Sequence, residues 1–168
     1  DMLDLSRLET VTADAKEPVD VSKVAGEIKE SLAPLAEKKG VSVSVSGNCT
    51  VFAEKEHVTE LVKNLLENAV RYNEAGGKAE VILSETAEQS IIAVKDNGIG
   101  IAKEDQGRLF ERFYRVNKSR SRETGGTGLG LAIVKHIAER YGAELRLTST
   151  PGAGTTVTVA FPKVAEEK

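Results

Sequence analysis

The chain has 168 residues, enough for one well-filled core. Its 40% hydrophobic and 29% charged residues have the balance of a globular domain, and a net charge of −3 gives no electrostatic ground for nucleic acid as a partner. No apolar run approaches the roughly 20 residues of a membrane span, no signal peptide opens the chain, and one cysteine, Cys49, excludes an internal disulfide or a cysteine metal cluster.

The opening "DMLDLSRLE" has no initiator methionine and spaces Leu5 and Leu8 at helical distance. It reads as the end of a longer helix, and the chain as a piece excised from a larger protein. "VTADAKEPVDV" is short, partly extended and interrupted by Pro18. Asp20 then caps a helix to about Lys39, with Val21, Val24, Ile28, Leu32 and Leu35 on its apolar face. Pro34 should bend it near its end and Gly40 stop it. "VSVSVS" alternates as a half-buried strand, and "GN" turns into a second strand at 50–53. From Glu56 to Tyr72 the period becomes helical, with Val58, Leu61, Leu65, Ala69 and Tyr72 on one face. Strands follow near 79–85 and 90–95, then a short helix at 105–114 and an irregular segment at 115–127. A helix over 129–141 and strands near 144–150 and 155–161, flanking "PGAG", complete the chain. The hairpin-like strand pairs predict a mixed sheet with helices on one face. Cys49, His57 and His136 are expected in structural positions, the cysteine half-buried and the histidines at the surface or a rim.

Three stretches carry chemistry. "DNGIGI" ends a strand with an acid, then places Gly98 and Gly100 where backbone must approach a ligand or take positive φ. A carboxylate only accepts hydrogen bonds, so Asp96 suits an amine. "GGTGLGLAI" leads Gly126, Gly128 and Gly130 into a helix, whose free N–H groups and positive end make an anion site. It is neither a P-loop, which needs Lys-Ser/Thr after its last glycine, nor a dinucleotide fingerprint, which would need glycine where Leu131 or Ile133 stands. Between the two, Arg112, Arg115, Lys118, Arg120 and Arg122 stud a polar segment, a pattern suited to a lid over phosphates. The third stretch, "NLLENAVRYN", sets Asn64, Asn68, Arg71 and Tyr72 along one helical stripe. An amide oxygen such as that of Asn68 suits Mg²⁺, which keeps several waters and bridges phosphates.

In this order and spacing the motifs resemble the ATP-binding catalytic domain of bacterial sensor histidine kinases, over about residues 20–162. "NLLENAVRYN" looks like that family's N box, "DNGIGI" and "GGTGLGLAI" like its glycine boxes, "RLFERFYRV" like its F box and "GAGTT" like its last glycine motif. The resemblance implies the Bergerat fold, a two-layer α/β sandwich. It divides the chain into the end of a dimerisation helix and linker at 1–19, the catalytic domain at 20–163 and a tail at 164–168. The implied cofactors are ATP and Mg²⁺. Asp96 would accept the adenine amine, with Gly98 and Gly100 shaping the pocket, Ile101 and Tyr72 against the base, and Thr155 holding Asp96 and a water. Asn68 would bind Mg²⁺, with Asn64, Arg71, Arg115 and Lys118 near the phosphates. Gly126, Thr127, Gly128, Leu129, Gly130 and Leu131 would enclose the triphosphate. Phe110 and Phe113 would anchor the base of the lid.

Hydrolytic relatives of this fold, such as gyrase and Hsp90, carry a water-activating glutamate one turn before the magnesium asparagine, where this chain has Asn64. An amide is no general base. Bound ATP is therefore expected to be held for transfer, with Asn64 and Arg115 as the catalytic pair. Neither His57 nor His136 has the setting of the family's phosphate acceptor, so that histidine is expected upstream of residue 1. The implied partners are the absent dimerisation helices and a response regulator. The full-length protein would be a homodimer anchored in the bacterial membrane, with this domain in the cytoplasm. Two other readings stay open: a nucleotide-binding regulatory module without phosphotransfer, and a hydrolytic ATPase of the same fold.

Overall fold

A computed structural model describes residues 16–101 and 130–163. The chain enters through strand β1, Glu17–Asp20, and passes at once into helix α1, Val21–Lys39. Asp20 caps α1 by accepting hydrogen bonds from the Ser22 and Lys23 N–H groups, and Gly40 ends it in the left-handed region at φ 75°. The helix continues through Pro34, whose side chain is exposed. Strands β2, Ser42–Gly47, and β3, Thr50–Ala53, lead to helix α2, Lys55–Arg71. Strands β4, Lys78–Glu85, and β5, Gln89–Asp96, precede helix α3, Gly130–Arg140. Strands β6, Glu144–Thr150, and β7, Gly154–Pro162, close the described chain.

Five strands make one mixed sheet in the order β2-β4-β5-β7-β6; β2 runs parallel to β4 and the other pairs are antiparallel. Alternation puts Val81, Leu83, Ile92, Val94, Val157 and Val159 on one face, and these join the buried faces of all three helices in a single core. The opposite face carries Ser44, Lys95 and the exposed Ile82. This is the expected α/β sandwich with helices on one side of the sheet.

One expected pairing is corrected. Only Asn48 and Cys49 separate β2 from β3, yet the two do not form a hairpin. Strand β3 pairs antiparallel with β1 in a separate two-stranded sheet, in which Val19 lies opposite Val51. Strand β2 instead lies along β4, so closely that a Cβ on Gly47 would meet the Leu83 carbonyl oxygen at 2.0 Å. Cys49 accepts the Val21 N–H on its carbonyl at 3.0 Å, which ties the crossing to the start of α1. Cys49 is also fully buried rather than half-buried, and burial pushes its thiol pKa up to about 12. The expected helix at 105–114 and the irregular segment at 115–127 lie outside the described residues.

Candidate functional site

Helix α2 presents its polar stripe at the edge of the core. Leu61, Leu65 and Ala69 are buried, while Asn64, Asn68, Arg71 and Tyr72 are half-buried. Asn64 turns its amide nitrogen back to the Glu60 carbonyl at 2.7 Å. Arg71 grips one oxygen of the Glu67 carboxylate with two nitrogens, at 2.8 and 2.6 Å. Tyr72 stands just past the last helical residue and sends its N–H to the Asn68 carbonyl at 3.0 Å. Asn68 and Asn64 therefore lie about 6 and 12 Å up the helix axis from Tyr72.

The turn after β5 packs directly on that helix end. The Ile99 N–H donates to the Tyr72 carbonyl at 3.3 Å. Gly98 is buried, and a Cβ there would meet the same carbonyl oxygen at 2.5 Å. Gly98 was expected as a candidate for positive φ, but it is needed for space and its φ is not positive. Gly100 has both needs, with φ +73° and a Cβ position 2.1 Å from the Thr150 oxygen. The turn is thus clasped between the end of α2 and the β6–β7 hairpin, where the Gly152 N–H donates to Ile99 at 2.8 Å.

Asp96 sits where these pieces meet. Its Oδ1 accepts the Gly98 N–H at 2.9 Å, and Thr155 lies opposite it in the β5–β7 register. Burial raises its pKa, against the pull of hydrogen bonds from the Gly98 and Thr155 backbone N–H groups. The carboxylate is partly desolvated and held by fixed donors, so a ligand amine would replace little water on reaching it.

The structure thus brings Tyr72, Asp96, Gly98, Gly100, Ile101 and Thr155 into one cluster, with Asn68, Arg71 and Asn64 extending from it. Gly130 opens α3 and Leu131 packs half-buried against the core. Arg115, Lys118, Gly126, Thr127, Gly128 and Leu129 lie outside the described residues, as do Arg112, Arg120, Arg122, Phe110 and Phe113.

Three residues of the cluster escaped the sequence reading. Asn73 is buried and joins the end of α2 to β4, donating to the Lys78 carbonyl at 2.9 Å and accepting the Glu74 N–H at 2.8 Å. Asn97 accepts the Lys78 N–H at 2.7 Å. Ser149 receives the Ile101 N–H at 2.8 Å. Its signal was a hydroxyl in the inward register of Leu145 and Leu147.

His57 is not at the surface: its side chain is fully buried, with Nδ1 on the Tyr141 hydroxyl and Glu54 3.8 Å away. Tyr141 also accepts the Glu54 N–H at 3.2 Å, so one hydroxyl links the start of α2 to the residue after α3. Position 57 lies one helical turn before Leu61, on the buried face, and its partner comes from 84 residues away. His136 is half-buried.

A two-layer sandwich whose glycine turn faces the end of an asparagine-bearing helix defines a nucleotide-site domain. Residues 53–165 match the family described as histidine kinase-, DNA gyrase B- and HSP90-like ATPases, and the chain belongs to that family. It is 38% identical to the sensor-like histidine kinase SenX3 of Mycolicibacterium smegmatis over 97% of this chain and 43% of that protein. It is 39% identical to the sensor histidine kinase RppB of a Synechocystis species over 96% of this chain and 37% of that protein. The chain thus spans less than half the length of these curated relatives. Among solved structures, the mycobacterial sensor histidine kinase MprB superposes with a TM-score of 0.75 at 28% identity, covering 87% of this chain and 97% of that one. Full-length ShkA in complex with AMPPNP superposes at 0.80 with 26% identity, covering 98% of this chain and 35% of that one.

Proposed function

We propose that this chain is the ATP-binding, phosphoryl-donating domain of a sensor histidine kinase. The carrying observation is Asp96, a half-buried carboxylate whose Oδ1 is held by Gly98 where the turn meets the end of α2. It accepts the exocyclic amine of adenine, between Tyr72 and Ile101. The triphosphate then runs along the α2 stripe toward Asn68 and Asn64, with Arg71, Arg115 and Lys118 as its cationic contacts. Gly126 to Leu131 are assigned to the same triphosphate by the family motif.

The donor set fits one particular cation mode. Among the described residues no group of three or more His, Cys, Asp or Glu side chains comes together to hold a metal. A single amide oxygen on a half-buried stripe suits Mg²⁺, which takes its remaining ligands from phosphates and water. Asn68 is that ligand, and the bound ion would neutralise phosphate charge.

Transfer is favoured over hydrolysis. Asn64 cannot serve as a base, and Glu67, the acid next to Asn68 on the helix, is engaged by Arg71. In this reading residues 1–19 link the domain at 20–163 to upstream dimerisation helices that bear the acceptor histidine, and 164–168 are a tail. The whole protein is a membrane-anchored homodimer that passes phosphate to a response regulator, with this domain on the cytoplasmic side.

Calorimetry with ATP and GTP tests the base assignment. Guanine presents a carbonyl where adenine has its amine, so ATP binds more tightly. Asp96→Asn loses about 1–3 kcal/mol of ATP affinity, the cost of a mismatched buried polar contact. Equal affinities for the two nucleotides in the parent chain would remove the reading.

A further inference from the structure

We propose that Ser149 is a positioning residue that fixes the hydrogen-bond polarity of the base-reading site, turning the lone pairs of the Thr155 hydroxyl, rather than its hydrogen, toward the ligand. This rests on the reading of Asp96 as the acceptor of an exocyclic amine.

Strand β6 alternates, so Ser149 occupies the inward register of Leu145 and Leu147 at the strand's end. A third leucine would extend the core there; a hydroxyl instead meets polar partners. Ser149 Oγ accepts the Ile101 N–H at 2.8 Å, lies 2.9 Å from the Gly154 carbonyl oxygen and lies 2.8 Å from Thr155 Oγ1. A hydroxyl owns one hydrogen and two lone pairs. The Gly154 carbonyl can only accept, so it takes the serine hydrogen. The Ile101 N–H occupies one lone pair. The contact with Thr155 is then a hydrogen bond in which Thr155 donates and Ser149 accepts.

The consequence falls on Thr155. With its hydrogen committed to Ser149, its oxygen offers only lone pairs to anything else. Thr155 stands opposite Asp96 in the β5–β7 register, and its backbone N–H favours the ionised form of the Asp96 carboxyl. Two neighbouring side chains therefore both accept and neither donates. An amine, or an amine together with a water, satisfies them. A carbonyl finds no donor. Sites built around fixed hydrogen-bond partners discriminate strongly because a mismatch leaves a buried polar group unpaired. Ser149 acts at one remove, by fixing which way its neighbour points. It also holds Ile101, so one side chain sets both the end of the glycine turn and the polarity of the hydroxyl beside it.

The test measures ADP and GDP affinities by calorimetry for the parent chain, Ser149→Ala, Ser149→Thr and Thr155→Val. Alanine frees the threonine hydrogen to serve a carbonyl. The preference for ADP should narrow about five- to tenfold, the worth of one hydrogen bond. Threonine keeps the hydroxyl and should hold the preference within about twofold of the parent. Thr155→Val should narrow the preference as alanine does, and the double variant Ser149→Ala/Thr155→Val should narrow it no further, since one residue acts through the other. A merely structural role for Ser149 would weaken ADP and GDP together and leave their ratio alone. A parent preference that survives Ser149→Ala overturns the proposal while leaving Asp96 as the amine acceptor. No preference in the parent chain overturns both. Should Ser149→Ala fail to fold, Thr155→Val with Ser149 in place decides: an unchanged ratio there overturns the proposal.

Discussion

At the scale of single residues, burial and charge decide what each polar side chain does. His57 is enclosed beside Glu54 and Tyr141, and its Nε2 has no hydrogen-bond partner among the described residues. Burial, then the charges of Arg140 and His136, lower its pKa to about 4. In the unfolded chain the imidazole titrates near 6.5. Between these values the unfolded chain binds a proton that the folded chain refuses. His57 therefore contributes stability that is present above pH 6.5 and lost as pH falls toward 4, on the order of 3 kcal/mol at the acid end. Asp20 and Glu85, whose pKa values are lowered, add losses in the carboxylate range as pH falls further. Thermal melts at pH 7 and pH 4.5 should show a smaller drop for His57→Gln than for the parent. Equal drops would mean that His57 does not couple folding to protons. Its burial was half legible in sequence. Helical periodicity puts position 57 on the apolar face, but the hydroxyl that makes burial tolerable comes from Tyr141, which no local pattern supplies.

At the scale of elements, helices were more legible than strand pairings. Helix α1 runs from the cap Asp20 to the left-handed Gly40, as capping and periodicity dictate. Strands β2 and β3 were also found, but their partners were not, because pairing depends on which edge is free in space. Strand β1, with Pro18 inside it, carries little strand signal; it exists because β3 lies beside it in register. The β6–β7 hairpin is the element on which the turn bearing Asp96 leans. Gly154 has φ +125°, and a Cβ there would meet the Asp96 carbonyl oxygen at 2.0 Å. Gly154→Ala should cost about 2 kcal/mol or more of stability and weaken nucleotide binding with it, read as a lower denaturant midpoint and a raised Kd for ADP. An unchanged midpoint would show that the strands separate freely. On α2, Asn68→Ala should remove the dependence of ATP affinity on Mg²⁺, while Asn68→Asp keeps it. Titrations with and without magnesium distinguish them, and an alanine variant that still responds to magnesium would place the ligand elsewhere.

At the scale of the whole molecule, base recognition at the β5 turn is, in the proposed reading, separated from a phosphate stripe on α2 by the last turns of one helix. The glycine turn, the acid and the spaced pair of asparagines were readable as a motif series, although Gly98 and Gly100 also answer the fold, through close approach to the Tyr72 and Thr150 carbonyls. Ser149 was not, because Ile101 reaches it only in the assembled sheet. The same assembly bears on where phosphate can go. His57 is fully buried and its Nδ1 is engaged by Tyr141, so it cannot approach a γ-phosphate without opening the helix layer. His136 lies half-buried on α3 and lacks an acceptor setting. The chain alone should therefore bind ATP without labelling itself. Given a separate dimerisation fragment bearing an acceptor histidine, it should transfer the γ-phosphoryl group. Such transfer depends mostly on positioning and charge neutralisation, which the α2 stripe, a bound Mg²⁺ and Arg115 would supply. Radiolabel carried on the γ-phosphate and followed on both polypeptides reads the outcome. Acid-labile, base-stable label should collect on the fragment only. It should fall at least tenfold with Asn68→Ala, a loss of roughly 1.4 kcal/mol in transition-state stabilisation. Label on this chain without the fragment would mean that one of its own histidines is the acceptor. Free phosphate released as fast without the fragment as with it would mean that the domain hydrolyses ATP rather than holding it for transfer.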